Sequence, residues 1–262
     1  MSPKLYPDLY QKLQDKAVIT TKDALSINKN KHLAAQELTR LAKRGYLQKI
    51  RRGLYAIVPV EFIGKSYQPD KFVVASRITE PYAISHYSVL ELHGLGQSVF
   101  NQVYVSSSNR IIPFTHQRIK YRGILTKELF GVINIPREGQ VICVTDIEHT
   151  ILDCLRQLNL AGGIDELIRS LEGLTILDTA HVLEYLEKFN DKSLYAKTGF
   201  LLRLFASNWK IQPEVFETIR KQVGQTKYYF PRGLARGTGA LVKEWNLIVP
   251  KYLITKYKYA TG

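Results

Sequence analysis

Lys31-His32-Leu33-Ala34-Ala35-Gln36-Glu37-Leu38-Thr39-Arg40-Leu41-Ala42-Lys43-Arg44 reads as a helix with two chemically different sides. Ala34, Leu38, Leu41 and Ala42 recur at helical spacing and form one apolar stripe. At about 100° per residue, His32, Ala35, Gln36, Thr39 and Lys43 fall on the other side. That side is polar, basic and slim at Ala35. Lys43 and Arg44 in the last turn, with Gly45 after it, mark the stop. Asn30 is placed to cap the start.

Working outward, Thr20-Thr21-Lys22-Asp23 carries the start signal of a preceding helix, whose Ala24 and Leu25 face inward. Residues 26–30 form the turn between the two helices. After Gly45, residues 46–50 and 54–58 are β-prone runs joined by Arg51-Arg52-Gly53, and Gly53 supplies the positive φ of a tight hairpin. Upstream, Pro7 opens a short helix carrying Leu9 and Leu13, and Val18-Ile19 is extended. Helix, helix and hairpin make the plan of a winged helix-turn-helix over residues 1–65.

This pattern points to DNA, because a helix fits the major groove, where base edges carry a distinguishable donor and acceptor code. Gln36 has the groups to pair with adenine, and Arg40 or Lys43 with guanine. Lys22, Lys29, Lys31, Arg44, Lys49, Arg51 and Arg52 are assigned to phosphates. The arginine pair at the hairpin tip enters a minor groove or follows the backbone. Thr21, His32 and Thr39 complete the expected DNA-facing set. The competing reading is a winged helix used only to dock protein.

Charge supports a polyanionic partner. The net charge is +14, unevenly placed. Residues 1–65 hold 13 Lys and Arg against 5 Asp and Glu, residues 66–191 hold 11 against 15, and residues 192–262 hold 13 against 3. No apolar run approaches the ~18 residues that would span a bilayer. The N-terminus has no apolar signal core, so the expectation is a cytoplasmic protein without membrane contact. Cys143 and Cys154 are too few for a disulfide framework or a metal knuckle and read as small buried residues.

Residues 61–69 are the expected linker to a larger mixed α/β domain, residues 66–262, so the fold class is α+β. That domain reads as strand-rich over 80–145, helical over 146–222 and basic and mixed over 223–262. Residues 70–79 read as a short helix or strand, Ser85 as the cap of a helix ending at Leu92, and residues 107–113 as a loop. Thr145 with Glu148 reads as the capping box of the next helix. Ser85, His86 and His93 suggest a nucleophile with a base, but no carboxylate is spaced to orient either histidine. Asp146, Glu148, His149 and Asp153 form the densest ionisable cluster, which helix capping and i,i+4 pairing explain better than a metal or an acid–base site. No catalytic residue, cofactor or metal is expected. Lys227, Arg232, Arg236 and Lys243 make a second basic set, two of them in the glycine-rich loop 232–239. That loop lacks the Gly-Lys-Ser/Thr of a P-loop. Aromatics there, among them Tyr228, Tyr229, Phe230 and Trp245, read as core and interface residues before base-stacking platforms.

The chain resembles the AbiEi antitoxins of bacterial type IV toxin–antitoxin systems. The matching pieces are Val18-Ile19-Thr20-Thr21 through Arg51-Arg52-Gly53-Leu54-Tyr55, then residues 82–95, Leu129-Phe130-Gly131, residues 144–153 and Gly162-Gly163. His149 stands where arginine is usual in that run. The resemblance implies a winged helix that binds inverted repeats in double-stranded promoter DNA and represses its own operon. It also implies a larger domain that opposes a cognate nucleotidyltransferase toxin, with or without direct contact. Two alternatives stay open: a regulator or an RNA- or protein-binding adaptor with no toxin partner, and a DNA nuclease. The last is disfavoured, since the only acids past Asp191 are Glu214, Glu217 and Glu244.

Overall fold

The computed structural model describes residues 7–235, 237–257 and 259. It divides into two compact units, residues 1–85 with 100–144, and residues 86–99 with 145–262. In chain order the first unit holds α1 (Asp8–Leu13), β1 (Val18–Thr20), α2 (Thr21–Ile27), α3 (Lys31–Lys43), β2 (Leu47–Arg51), β3 (Leu54–Ile57), α4 (Lys71–Ser76) and β4 (Ala83–Ile84). After α5 (Tyr87–Leu92), which belongs to the second unit, come β5 (Gln102–Ser107), β6 (Phe114–His116), β7 (Ile119–Leu125), β8 (Val132–Arg137) and β9 (Gln140–Thr145).

The N-terminal helices fold because each has a start and an apolar face. Thr20 and Asp23 form a reciprocal capping box at α2, and the Asn30 carboxamide oxygen accepts from the His32 and Leu33 amides at α3. Leu9, Tyr10 and Leu13 of α1, Ala24 of α2, and Ala34, Leu38 and Leu41 of α3 join Ile19, Leu47 and Ile57 in one buried cluster. The three-stranded sheet runs β1-β3-β2, antiparallel throughout. The Tyr10 hydroxyl donates to the Val58 carbonyl at 2.7 Å and ties α1 to the end of β3. The linker-like residues 61–69 lie within this unit, followed by α4, which is a helix because the Asp70 side chain caps the Phe72 and Val73 amides.

A six-stranded sheet, ordered β6-β7-β5-β4-β9-β8, completes the first unit. Residues 114–116, which follow the expected loop, pair antiparallel with β7, Phe114 opposite Tyr121. Ser85 does not cap α5. Its hydroxyl accepts from the Ser106 hydroxyl across the β4–β5 pair, while His86 occupies the cap position with no side-chain cap bond.

The second unit continues with α6 (Ile147–Arg156), α7 (Ile164–Glu172), α8 (Thr179–Phe189), α9 (Lys192–Leu204), α10 (Pro213–Gln222), β10 (Tyr228–Tyr229), β11 (Gly239–Val242), β12 (Leu247–Pro250) and α11 (Lys251–Lys256). Helix α6 packs against α5, α8 and α9. The capping box expected at Thr145 is displaced by one residue: Asp146 caps α6 through the His149 amide, and Thr145 instead pairs its hydroxyl with that of Thr150. In a small sheet, β10-β12-β11, the turn from β11 to β12 carries the wholly buried Trp245, whose indole donates to the Tyr259 hydroxyl at 2.7 Å. At Gly199 a Cβ would lie 2.5 Å from that indole, so only glycine fits there. Phe230, Trp245 and Tyr259 are thus core residues, whereas Tyr229 and Tyr252 are exposed. Among the described residues no helix is long and apolar enough to cross a membrane.

Candidate nucleic-acid interface

Helix α3 turns Ala34, Leu38 and Leu41 into the core and leaves His32, Ala35, Gln36, Thr39, Arg40 and Lys43 exposed. These six, with Arg44, line an open concavity of about 640 Å³. The face carries three permanent cations. A neighbouring acid, Glu37, sits at the edge, 3.6 Å from Arg40, and accepts from the Asn28 carboxamide at 3.1 Å. Thr39 turns its hydroxyl back to the Ala35 carbonyl at 2.8 Å, which lowers its profile. Arg44 lies over the Tyr46 ring at 5.3 Å, at the base of the helix.

Lys22, Lys29, Lys31, Lys49 and Arg52 are also exposed. Thr21 and Lys22 do not line the α3 concavity. They border a separate cleft with Gly53 of the hairpin and with Arg77, Ile78, Thr79 and Asn109 of the same unit. Gly53 has φ +78°, and a Cβ there would lie 3.3 Å from the Thr21 hydroxyl. The Thr21 amide donates to the Gly53 carbonyl at 3.0 Å, so the tip is fastened to the start of α2.

Arg51 stands apart from the rest of the expected set. Lys49 pairs with Tyr55 and Arg51 with Leu54, so β2 takes two steps while β3 takes one. That bulge turns Arg51 to the side of buried Leu54, away from that of exposed Lys49. Its guanidinium donates to the Ile78 carbonyl at 3.0 Å and lies over the Phe114 ring at 4.7 Å. Burial pulls the Arg51 pKa below the ordinary arginine value.

A second tie joins α2 to the segment after α4. Arg77 Nη2 donates to both oxygens of Asp23, at 2.9 and 2.7 Å, and Lys16 approaches the same carboxylate at 2.6 Å. Burial alone would raise the Asp23 pKa. Lys16, the amide and hydroxyl of Thr20, and Arg77 outweigh it and hold the carboxyl well below the usual range. Neither Arg77 nor Phe114 belongs to the sequence-derived set, and local patterning gives no sign of them. A compositional sign does exist nearby: residues 101–127 contain five Lys and Arg and no acid.

In the second unit, Lys227, Arg232 and Lys243 are exposed, and Arg236 lies outside the described residues. Asp146, Glu148 and His181 bring potential ligand atoms within 4.8 Å of one another. The two carboxylates have structural tasks. Asp146 accepts from the His149 amide and the Tyr185 hydroxyl, and Glu148 accepts from the Asp178 amide at the start of α8. Buried His86 sits at φ +56°, 3.9 Å from Asp153, which also lies 3.5 Å from His149. Desolvation lowers the His86 pKa, opposed in part by Asp153.

The chain is similar over 92% of its length to the RV2827C protein from Mycobacterium tuberculosis, covering 89% of that protein with a TM-score of 0.63. The two are 12% identical, so the likeness is one of fold. No curated protein matches the chain. The family model that does match is described as a transcriptional regulator, AbiEi antitoxin, and it covers α1 to β3. The match spans residues 8–58.

Proposed function

We propose that the chain is an antitoxin-type repressor that binds the promoter of its own operon through a winged helix-turn-helix. In this reading α2 and α3 are the two helices of the motif, β2 and β3 are the wing, and α3 lies in the major groove. The observation that carries it is the exposed cationic face of α3, opposite its buried stripe, within the segment that matches the regulator family. Gln36, Arg40 and Lys43 reach base edges. Lys22, Lys29, Lys31, Lys49 and Arg52 neutralise phosphates. The operator is a duplex with inverted repeats, and the second unit takes part in countering a nucleotidyltransferase toxin.

Binding of the full chain to the duplex immediately upstream of its reading frame, against a random duplex of equal length over a salt series, tests the repressor role. A steep salt slope and a clear preference for the upstream duplex are expected. Equal binding to both duplexes would refute it. The toxin role needs a separate arm, with a nucleotidyltransferase encoded beside this chain. Removing residues 1–65 would cut through the first unit, so point variants are the better tool. Gln36→Ala with Lys43→Ala should abolish promoter preference while protection from the toxin persists. Loss of protection in that variant would tie the antitoxin role to DNA binding.

A further inference from the structure

Two adjacent arginines at the wing tip have opposite surroundings. Arg52 is exposed, whereas Arg51 is held by the Ile78 carbonyl and the Phe114 ring. Both partners of Arg51 lie outside the segment that matches the regulator family. Ile78 follows α4, and Phe114 opens β6 on the edge of the six-stranded sheet. Phe114 is itself fixed, stacked on Tyr121 at 4.7 Å and 14°. The bulge in β2 is what delivers Arg51 to these partners. Without the extra residue, Arg51 would share the side of Lys49 and Tyr55, away from these partners. The Asp23–Arg77 tie does the same for α2, one residue away from Ile78. Wing and helix pair are thereby each fastened to the body of the first unit.

We infer that Arg51 is a positioning residue: through Phe114 and the Ile78 carbonyl it locks the wing to the six-stranded sheet, so that wing and α3 meet a duplex as one preorganised surface. This inference rests on the DNA-binding reading above and deepens it. A guanidinium engaged in this way contributes no phosphate contact. Its contribution to affinity is conformational: a wing already in place need not be ordered on binding. Phe114 carries no charge, so it separates this role from simple charge neutralisation.

The test uses the full chain and two measurements. In the first, the salt dependence of binding to the upstream duplex is compared for Arg51→Ala, Phe114→Ala and Arg52→Ala. Arg52→Ala should reduce the salt slope by about one, the signature of a lost phosphate contact. Arg51→Ala and Phe114→Ala should each weaken binding about tenfold and leave the slope unchanged. The double variant should bind no worse than either single one, because both break the same latch. In the second measurement, hydrogen exchange of the free protein is followed. Amides of β2 and β3 should exchange several-fold faster in Phe114→Ala, while those of α7 stay at wild-type rates. Phe114→Leu, which keeps the apolar contact and loses the ring face, serves if the alanine variant does not fold.

A fall in slope for Arg51→Ala equal to that for Arg52→Ala would overturn the inference, as would wild-type wing exchange in the Phe114 variants. Absence of any preference for the upstream duplex would refute the repressor reading instead. The exchange measurement would then decide on the latch by itself.

Discussion

Helix α3 and the β2–β3 hairpin are both basic, both amphipathic and adjacent in sequence, yet they dispose of their charges differently. In α3 every residue follows the helical period: Ala34, Leu38 and Leu41 go in, and Gln36, Thr39, Arg40 and Lys43 go out. In the hairpin one extra residue in β2 breaks the period of two, and Arg51 changes sides. The lesson is about the tolerance of the two geometries. A helix spreads its neighbours over 360°, and hydrogen bonds within one segment fix where each points. A strand has only two sides, so a single bulged residue moves a side chain from one to the other. Charge on a helix surface therefore predicts an exposed cation better than charge at a hairpin tip.

The sharpest way to break this comparison is to attack the buried side of α3. Leu38 is 1% exposed and lies within the N-terminal cluster. Leu38→Ala should destabilise the first unit by about 2–5 kcal/mol in chemical denaturation. Gln36→Ala, two residues away on the exposed side, should stay within about 0.5 kcal/mol of wild type in the same measurement. If the two variants lose similar stability, α3 does not have one buried and one free face. On DNA the order should invert. Gln36→Ala should cost about 1–3 kcal/mol of discrimination against a substituted base pair, read from competition with altered duplexes.

The latch between α2 and Arg77 offers a test by pH. The folded Asp23 carboxyl titrates below its unfolded value near 3.9, so the unfolded chain binds the proton first. Its stabilisation is therefore complete above about pH 4 and is lost as pH falls toward the folded pKa. Thermal unfolding between pH 5 and pH 2 should show a steeper decline for wild type than for Asp23→Asn. His86 acts with the same sign in a higher window. Desolvation depresses its folded pKa, so its neutral form stabilises the second unit fully above about pH 6.5 and progressively less below it. His86→Asn, which keeps a polar side chain and does not titrate, should flatten the decline just below pH 6.5. Parallel curves for each variant and wild type would show that neither group governs acid stability.

How much was legible in the sequence follows from how local each determinant is. The helix pair, the turn and the hairpin depend on residues a few positions apart, and capping signals at Thr20, Asp23 and Asn30 place them. The Asp23–Arg77 tie joins residues 54 positions apart, and Arg51 reaches 27 positions to Ile78. No periodicity announces such partners. The unit boundary was hidden for the same reason. Helix α5 belongs with residues beyond 145, yet in chain order it falls between β4 and β5 of the first unit. Nothing in the composition of residues 86–99 marks that excursion. The cap of α6 shows a subtler limit. Thr145 and Asp146 are both good capping residues, and the choice fell to Asp146 because Thr145 is the last residue of β9.

The smallest effect worth measuring concerns the start of α3. The Asn30 oxygen accepts from the His32 and Leu33 amides at 2.9 and 3.2 Å, and it sits in the turn that orients the whole helix. Asn30→Ala should cost about 1 kcal/mol of stability, the usual worth of an N-cap. Asn30→Asp keeps the acceptor and adds a negative charge beside the helix N-terminus, which favours the fold by a few tenths of a kcal/mol. The same charge faces the duplex in the proposed complex, beside Lys29 and Lys31, and should weaken phosphate binding there. A variant that folds at least as well as wild type and binds DNA less tightly would separate the two faces of α3 more finely than any core mutation. If Asn30→Asp instead binds the duplex as well as wild type, the N-terminal end of α3 does not approach the phosphates. The helix would then enter the groove by its middle and last turns, leaving Gln36, Arg40 and Lys43 as its contacts.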